Sequence, residues 1–128
     1  MNYLVDTSVL VDALNGRKQR RELLAELLAQ GNSLGCCTIN VIEVFSGMRP
    51  DEEAETEEFL GSLAYYEVTW AAAWRAGRIR YDWARQGQTL SLADVTIAAV
   101  ALENRLVLMT DNTKHFPMPE LQKHAWQT

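Results

Sequence analysis

Histidine and cysteine are scarce in this 128-residue chain, which holds two of each. The cysteines are neighbours, Cys36 and Cys37, inside an apolar stretch. Adjacent cysteines rarely pair with each other and no CxxC spacing occurs, so a disulfide scaffold, a structural zinc site and a dithiol redox motif all drop out. Both read as reduced, buried side chains. Proline is sparse too, at three residues, and there are no repeats, low-complexity tracts or linkers. No apolar run reaches the roughly 18 residues that suggest a membrane span, and no basic segment leads into a signal-peptide core. A cytoplasmic protein with no membrane partner is expected. Positive charge is also short, with 12 Lys and Arg against 17 Asp and Glu and a net charge of −5. That balance argues against a protein that coats nucleic acid by neutralising many phosphates, but leaves catalysis on RNA open. Six of the eight residues from Asp51 to Glu58 are acidic, so one local segment accounts for more than the whole excess.

What is present has a globular balance, 48% hydrophobic and 23% charged, at a length that suits one domain, residues 1–128. Tyr3 to Val5 form a short apolar run that stops at Asp6-Thr7-Ser8, residues that cap helix N-termini. A buried strand running straight into a helix, Ser8 to about Leu14, fits this pattern. Arg17 to Gln30 carries Leu23, Leu24, Leu27 and Leu28 at helical spacing, closed by Gly31. Ser33 to Cys37 is a second strand candidate. Thr38 then suits the cap of a helix that turns Ile39, Ile42, Val44 and Phe45 toward the core. An acidic helix starts at Asp51, a third strand spans Tyr65 to Thr69, and a long helix runs from about Trp70 to Gln86. Leu92 to Asn104 is apolar on nearly all sides, as a core helix is. Leu106 to Met109 makes a fourth strand, and Leu121 to Trp126 a weak edge strand.

Strands separated by helices, with no hairpin turn signals, indicate parallel pairing through right-handed crossovers. The expected fold is a three-layer α/β/α sandwich around a central parallel sheet of four to five strands. The crevice of such a sheet lies beyond the carboxyl ends of its strands, where Asp6 and Asp111 fall.

Four acids deserve weighing. Asp6 reads equally as a helix cap. Glu43 lies mid-helix with Asn40 and Gly47 at i−3 and i+4, a polar and open face, although an exposed glutamate is commonplace. Asp94 completes Ser91-Leu92-Ala93-Asp94, a variant of the capping box. Asp111 suits a turn. Together they make a different case, because carboxylates gathered in a cleft repel one another unless a cation holds them. Oxygen donors with no accompanying His or Cys point to Mg²⁺ or Mn²⁺, ions suited to phosphodiester hydrolysis.

The segments Tyr3-Leu-Val-Asp-Thr-Ser-Val-Leu-Val11, Thr38-Ile-Asn-Val-Ile-Glu-Val44 with Gly47, Leu92-Ala-Asp-Val-Thr-Ile-Ala-Ala99 and Thr110-Asp-Asn-Thr-Lys-His-Phe116 resemble PIN-domain ribonucleases, in particular toxins of the VapC type. The resemblance spans residues 3–116. It implies an Mg²⁺-dependent endoribonuclease with Asp6, Glu43 and Asp94 as metal ligands, supported through hydrogen bonds by Thr7 or Ser8 and by Thr110. It also implies an RNA substrate, a homodimer through helical faces, and a cognate antitoxin whose tail covers the acidic cleft and a hydrophobic groove. One position departs from the pattern. The family's occasional fourth acid stands two residues after the threonine, where this chain has Asn112, and Asp111 comes one residue early. Either Asp111 turns in or Asn112 holds a metal-bound water.

Other features are read more plainly. His115 has no second catalytic group placed beside it by the sequence. Arg75, Arg78 and Arg85 share a helix face, with Asp82 spaced to pair Arg78. That face, like Arg17, Lys18, Arg20 and Arg21, is either solvated or lies along RNA. Trp70, Trp74, Trp83 and Trp126 read as core or interface residues. A haloacid-dehalogenase-like phosphatase needs an Asp-x-Asp pair, and residue 8 is serine. A receiver-like binding module needs an acceptor Asp after a middle strand, where Pro50 and Asp51 open an acidic helix instead. An inactive PIN scaffold, or a PIN nuclease in RNA processing or DNA repair, remains as the nearest rival.

Overall fold

The apolar run at the head of the chain forms β1, Asn2–Val5, with its last three residues buried. The computed structural model describes residues 1–125, and over them the chain continues through α1 (Thr7–Leu14), α2 (Arg20–Ala29), β2 (Ser33–Cys37), α3 (Thr38–Ser46), α4 (Glu53–Gly61), β3 (Ala64–Tyr66), α5 (Trp70–Arg85), α6 (Leu92–Glu103), β4 (Val107–Met109) and β5 (Lys123–His124). The five strands pair in parallel in the order β3-β2-β1-β4-β5. Leu4 stands opposite Gly35 on one side and Leu108 on the other. Winding runs outward from β1 to β3 and then returns past β1 to lay down β4. The β1–β4 boundary is therefore the point where the winding reverses, and the crevice of a doubly wound sheet opens there.

Alternation along each strand divides the core into two layers. Leu4, Cys37 and Leu108 face one layer, where they meet Ile97, Ala98 and Phe116. Tyr3, Val5, Cys36 and Met109 face the other, against Val9, Leu10 and Leu24. The neighbouring cysteines thus point to opposite sides of the sheet, and both are free and buried. Burial, with a smaller push from Cys37, drives the Cys36 thiol up to about 11, so it stays protonated. The α/β/α sandwich is the expected one. Gly35 leaves room for the Tyr66 ring of the neighbouring strand, which a Cβ there would meet at 2.5 Å.

Several local expectations shift. The second helix starts at Arg20 and not Arg17, because Lys18 and Gln19 take left-handed φ values of 54° and 55°. Helix α3 has its N-cap at Cys37, whose N–H donates to the Asn40 side chain at 2.8 Å. The Thr38 hydroxyl is engaged elsewhere, 2.8 Å from the Tyr65 hydroxyl. Ile42, expected in the core, is 56% exposed. The third strand ends at Tyr66, which frees Thr69 to cap α5 by accepting from the Ala72 N–H. The edge strand is only Lys123–His124, and Trp126 lies outside the described residues.

Candidate active site

Asp6 follows the last residue of β1, and its N–H donates to the Met109 carbonyl of β4 at 2.8 Å. It is 6% exposed, and both carboxylate oxygens are engaged. Oδ1 accepts from the Thr7 N–H at 2.9 Å and Oδ2 from the Thr110 hydroxyl at 2.7 Å. Burial raises its pKa above the ordinary carboxylate value. The Thr110 and Thr7 bonds oppose that rise, while the charges of Asp94 and then Glu43 reinforce it. Helix capping therefore describes only one of the two oxygens. The other is clamped by a residue 104 positions away.

Glu43 projects from α3, exposed, with Oε1 accepting from the Thr7 hydroxyl at 2.6 Å. The open polar face expected beside it is different in one respect, because Asn40 is fully buried. Asn40 accepts from the Cys37 N–H and donates through Nδ2 to the Thr7 hydroxyl at 3.0 Å. The Thr7 hydroxyl receives that amide proton, so its own single proton is aimed at Glu43. Asn40 thus connects the sheet edge of α3 to two of the acids. Its spacing three residues after the strand end was the only signal for this in the sequence.

Asp94 sits in the first turn of α6, where its N–H donates to the Ser91 hydroxyl at 3.0 Å. Only that half of a capping box forms. The carboxylate instead has His115 Nδ1 at 3.8 Å, so His115 does have an acid beside it, contrary to expectation. Asp94 and Glu43 are both close enough to act on Asp6 through charge. Among the described residues, however, no three His, Cys, Asp or Glu side chains converge into a ready cage for a metal ion. Mg²⁺ does not require one, since it is usually held by one or two carboxylates and keeps several waters. An all-oxygen set around a buried, charge-crowded Asp6 fits such an ion, and suits zinc poorly.

The remaining candidates divide. Thr110 is fully buried and, besides bonding Asp6, accepts the Asn112 N–H at 3.0 Å. Ser8 is half-buried and its hydroxyl has no hydrogen-bond partner among the described residues. Asp111 is held by Arg20, with Nη2 2.7 Å from Oδ1. Arg20, expected to be either solvated or laid along RNA, is instead 2% exposed. Arg75 is bound to Glu103 at 2.7 Å, Arg78 lies 3.8 Å from Asp82, and Arg78 and Arg85 both stand over the Tyr81 ring.

The fold has counterparts among known proteins. A family model described as PIN domain matches residues 3–120. Ribonuclease VapC19 of Mycobacterium tuberculosis is 33% identical over 120 residues, 93% of this chain and 96% of that one. Ribonuclease VapC10 of the same organism is 34% identical over 120 residues, 94% and 90% of the two chains. Among solved structures, VapBC2 from Rickettsia felis bound to a DNA fragment from their promoter superimposes with a TM-score of 0.85 at 25% identity, over 99% of this chain and 100% of that one. A toxin-antitoxin complex from Klebsiella pneumoniae gives a TM-score of 0.80 at 26% identity, over 98% and 99%. This chain belongs to the PIN-domain family, on its VapC-type ribonuclease branch. The phosphatase and receiver readings fall away with that membership.

Proposed function

We propose that this chain is an Mg²⁺-dependent endoribonuclease, the toxin of a toxin–antitoxin pair, with Asp6, Glu43 and Asp94 as its acidic centre. Asp6 carries the reading. A carboxylate this buried and pressed by two further acids is an unfavourable arrangement without a cation, even with both oxygens hydrogen-bonded. Asp6 and Asp94 would hold the ion, with Glu43 close by and Mn²⁺ as a substitute. Bound there, Mg²⁺ supplies a Lewis acid for a phosphate oxygen and a water of lowered pKa. The protein's own share is positional. Thr110 and the Thr7 N–H stop the Asp6 carboxylate from rotating, and the Thr7 hydroxyl holds one of the two Glu43 oxygens.

Relatives named Ribonuclease VapC support RNA as substrate, and the toxin-antitoxin structures support an antitoxin partner. An RNA target puts the site of action in the cytoplasm, and among the described residues no helix is long and apolar enough to cross a membrane. A homodimer is supported by Trp70, Trp74 and Leu92, which are 87%, 65% and 65% exposed on the paired helices α5 and α6. Asp6→Asn and Asp94→Asn test the mechanism on one RNA, with and without Mg²⁺. Each should lower cleavage at least about a hundredfold while the fold persists. Cleavage by both variants at the wild-type rate would sink the mechanism.

A further inference from the structure

We infer that Arg20 is a positioning residue for the acidic centre, acting through Asp111 on the loop whose Thr110 clamps Asp6; the inference rests on the ribonuclease reading of that centre. A threonine hydroxyl has one proton, and here the Asn112 N–H already occupies one of its lone pairs. The proton is therefore directed at Asp6 Oδ2 as long as residues 110–112 keep their path. On one side that path is tied to the sheet edge, through the Thr110 N–H on the His124 carbonyl at 3.1 Å. On the helical side it is tied by Asp111 to Arg20, a link across 91 positions at 2.7 Å.

The chain goes to some trouble to deliver Arg20 there. Lys18 and Gln19 adopt left-handed backbone angles in succession, a conformation that residues with side chains disfavour unless their surroundings over-determine it. Helix α2 starts without a side-chain cap, and its first residue turns inward to 2% exposure. Stability is a poor explanation for such a pair, because desolvation offsets most of the attraction and an apolar pair of similar volume does as well. What an apolar pair lacks is direction. The link joins α2 to the residue after Thr110, and so sets where the clamp on Asp6 stands.

The full chain is compared with Arg20→Met, Asp111→Asn, the double variant and Arg20→Lys. Three quantities are read: Mn²⁺ affinity by calorimetry without RNA, kcat and KM on one RNA, and the melting temperature. Each single variant should weaken Mn²⁺ binding and lower kcat by about tenfold, with KM held within about twofold. The double variant should lose no more than the worse single, since two residues that act as one unit are not additive. Arg20→Lys should recover part of kcat. If Arg20→Met fails to fold, Asp111→Asn decides alone. Wild-type Mn²⁺ affinity and kcat in folded Asp111→Asn, or losses that add in the double variant, would overturn the assignment, even if the melting temperature falls. A wild-type chain that cuts no RNA with Mg²⁺ would overturn the ribonuclease reading instead, and Mn²⁺ affinity would still decide the role of Arg20.

Discussion

Replacing Thr110 by valine removes one oxygen from the centre of the molecule and keeps the volume. Two interactions go with it. Asp6 Oδ2 loses its hydroxyl donor, a bond of 2.7 Å in a fully buried setting, and the Asn112 N–H loses its acceptor. A hydrogen bond to a charged group contributes about 1.5–3 kcal/mol, and a stranded amide costs about 1 kcal/mol more, so Thr110→Val should lose about 2.5–4 kcal/mol. For a domain of this size that lowers the melting temperature by about 10–15 °C. Thr110→Ser keeps the hydroxyl and should lose only about 1 kcal/mol for its missing methyl. The difference depends on pH with a definite sign. The Thr110 bond favours ionised Asp6, so its contribution is present above the raised folded pKa of Asp6 and fades as pH falls through it. Without the bond that pKa climbs further, and the acidic limb of the cleavage profile moves to higher pH in Thr110→Val and stays in place in Thr110→Ser. Urea unfolding of the metal-free protein across pH, paired with cleavage rates, reads both effects. Equal stability of the two variants, within about 0.5 kcal/mol at neutral pH, would refute the clamp.

Two further expectations concern other parts of the molecule. Asn40→Ala removes the acceptor of the Cys37 N–H and the donor to Thr7 in a fully buried position; a loss of about 2–4 kcal/mol in chemical denaturation is expected, and a loss under 1 kcal/mol would show that water replaces the amide. Trp74→Glu places a charge on the exposed face of α5 and α6; if the proposed homodimer forms there, light scattering should show the wild type as a dimer and the variant as a monomer, while stability per protomer changes by about 0.5 kcal/mol or less.

Much of this architecture is written in short apolar runs. Residues 3–5 and 33–37 could only be buried strands once helices separated them, and α6 announced itself by having no polar face. What the pattern hid was direction. Trp70 and Trp74 read as core or interface residues by size, and only the core half of that reading fails, because α5 packs through the small Ala72 and Ala76 and leaves the tryptophans outside. The same limit applied at the site. Asp6 and Asp94, at a strand end and in a first helical turn, and Glu43, mid-helix on α3, stood out as candidates because acids brought together have a chemistry of their own. Asn40 and Arg20 did not, because burial of a polar side chain depends on partners 33 and 91 positions away. Asp111 was legible as an acid at a strand end, but nothing in its neighbourhood showed that a buried arginine would hold it.

The reversal of winding at β1 has a consequence in time. A chain made from its N-terminus holds β1, β2 and β3 before Val107 exists. Until β4 slots in beside β1, Asp6 has neither the Met109 carbonyl under its backbone nor the Thr110 hydroxyl on its carboxylate. The acidic centre is thus completed only when the strand made after the first three takes its place beside β1. A fragment that stops before Val107 lacks both of these partners, so the proposed centre exists only in a chain whose sheet β4 has joined.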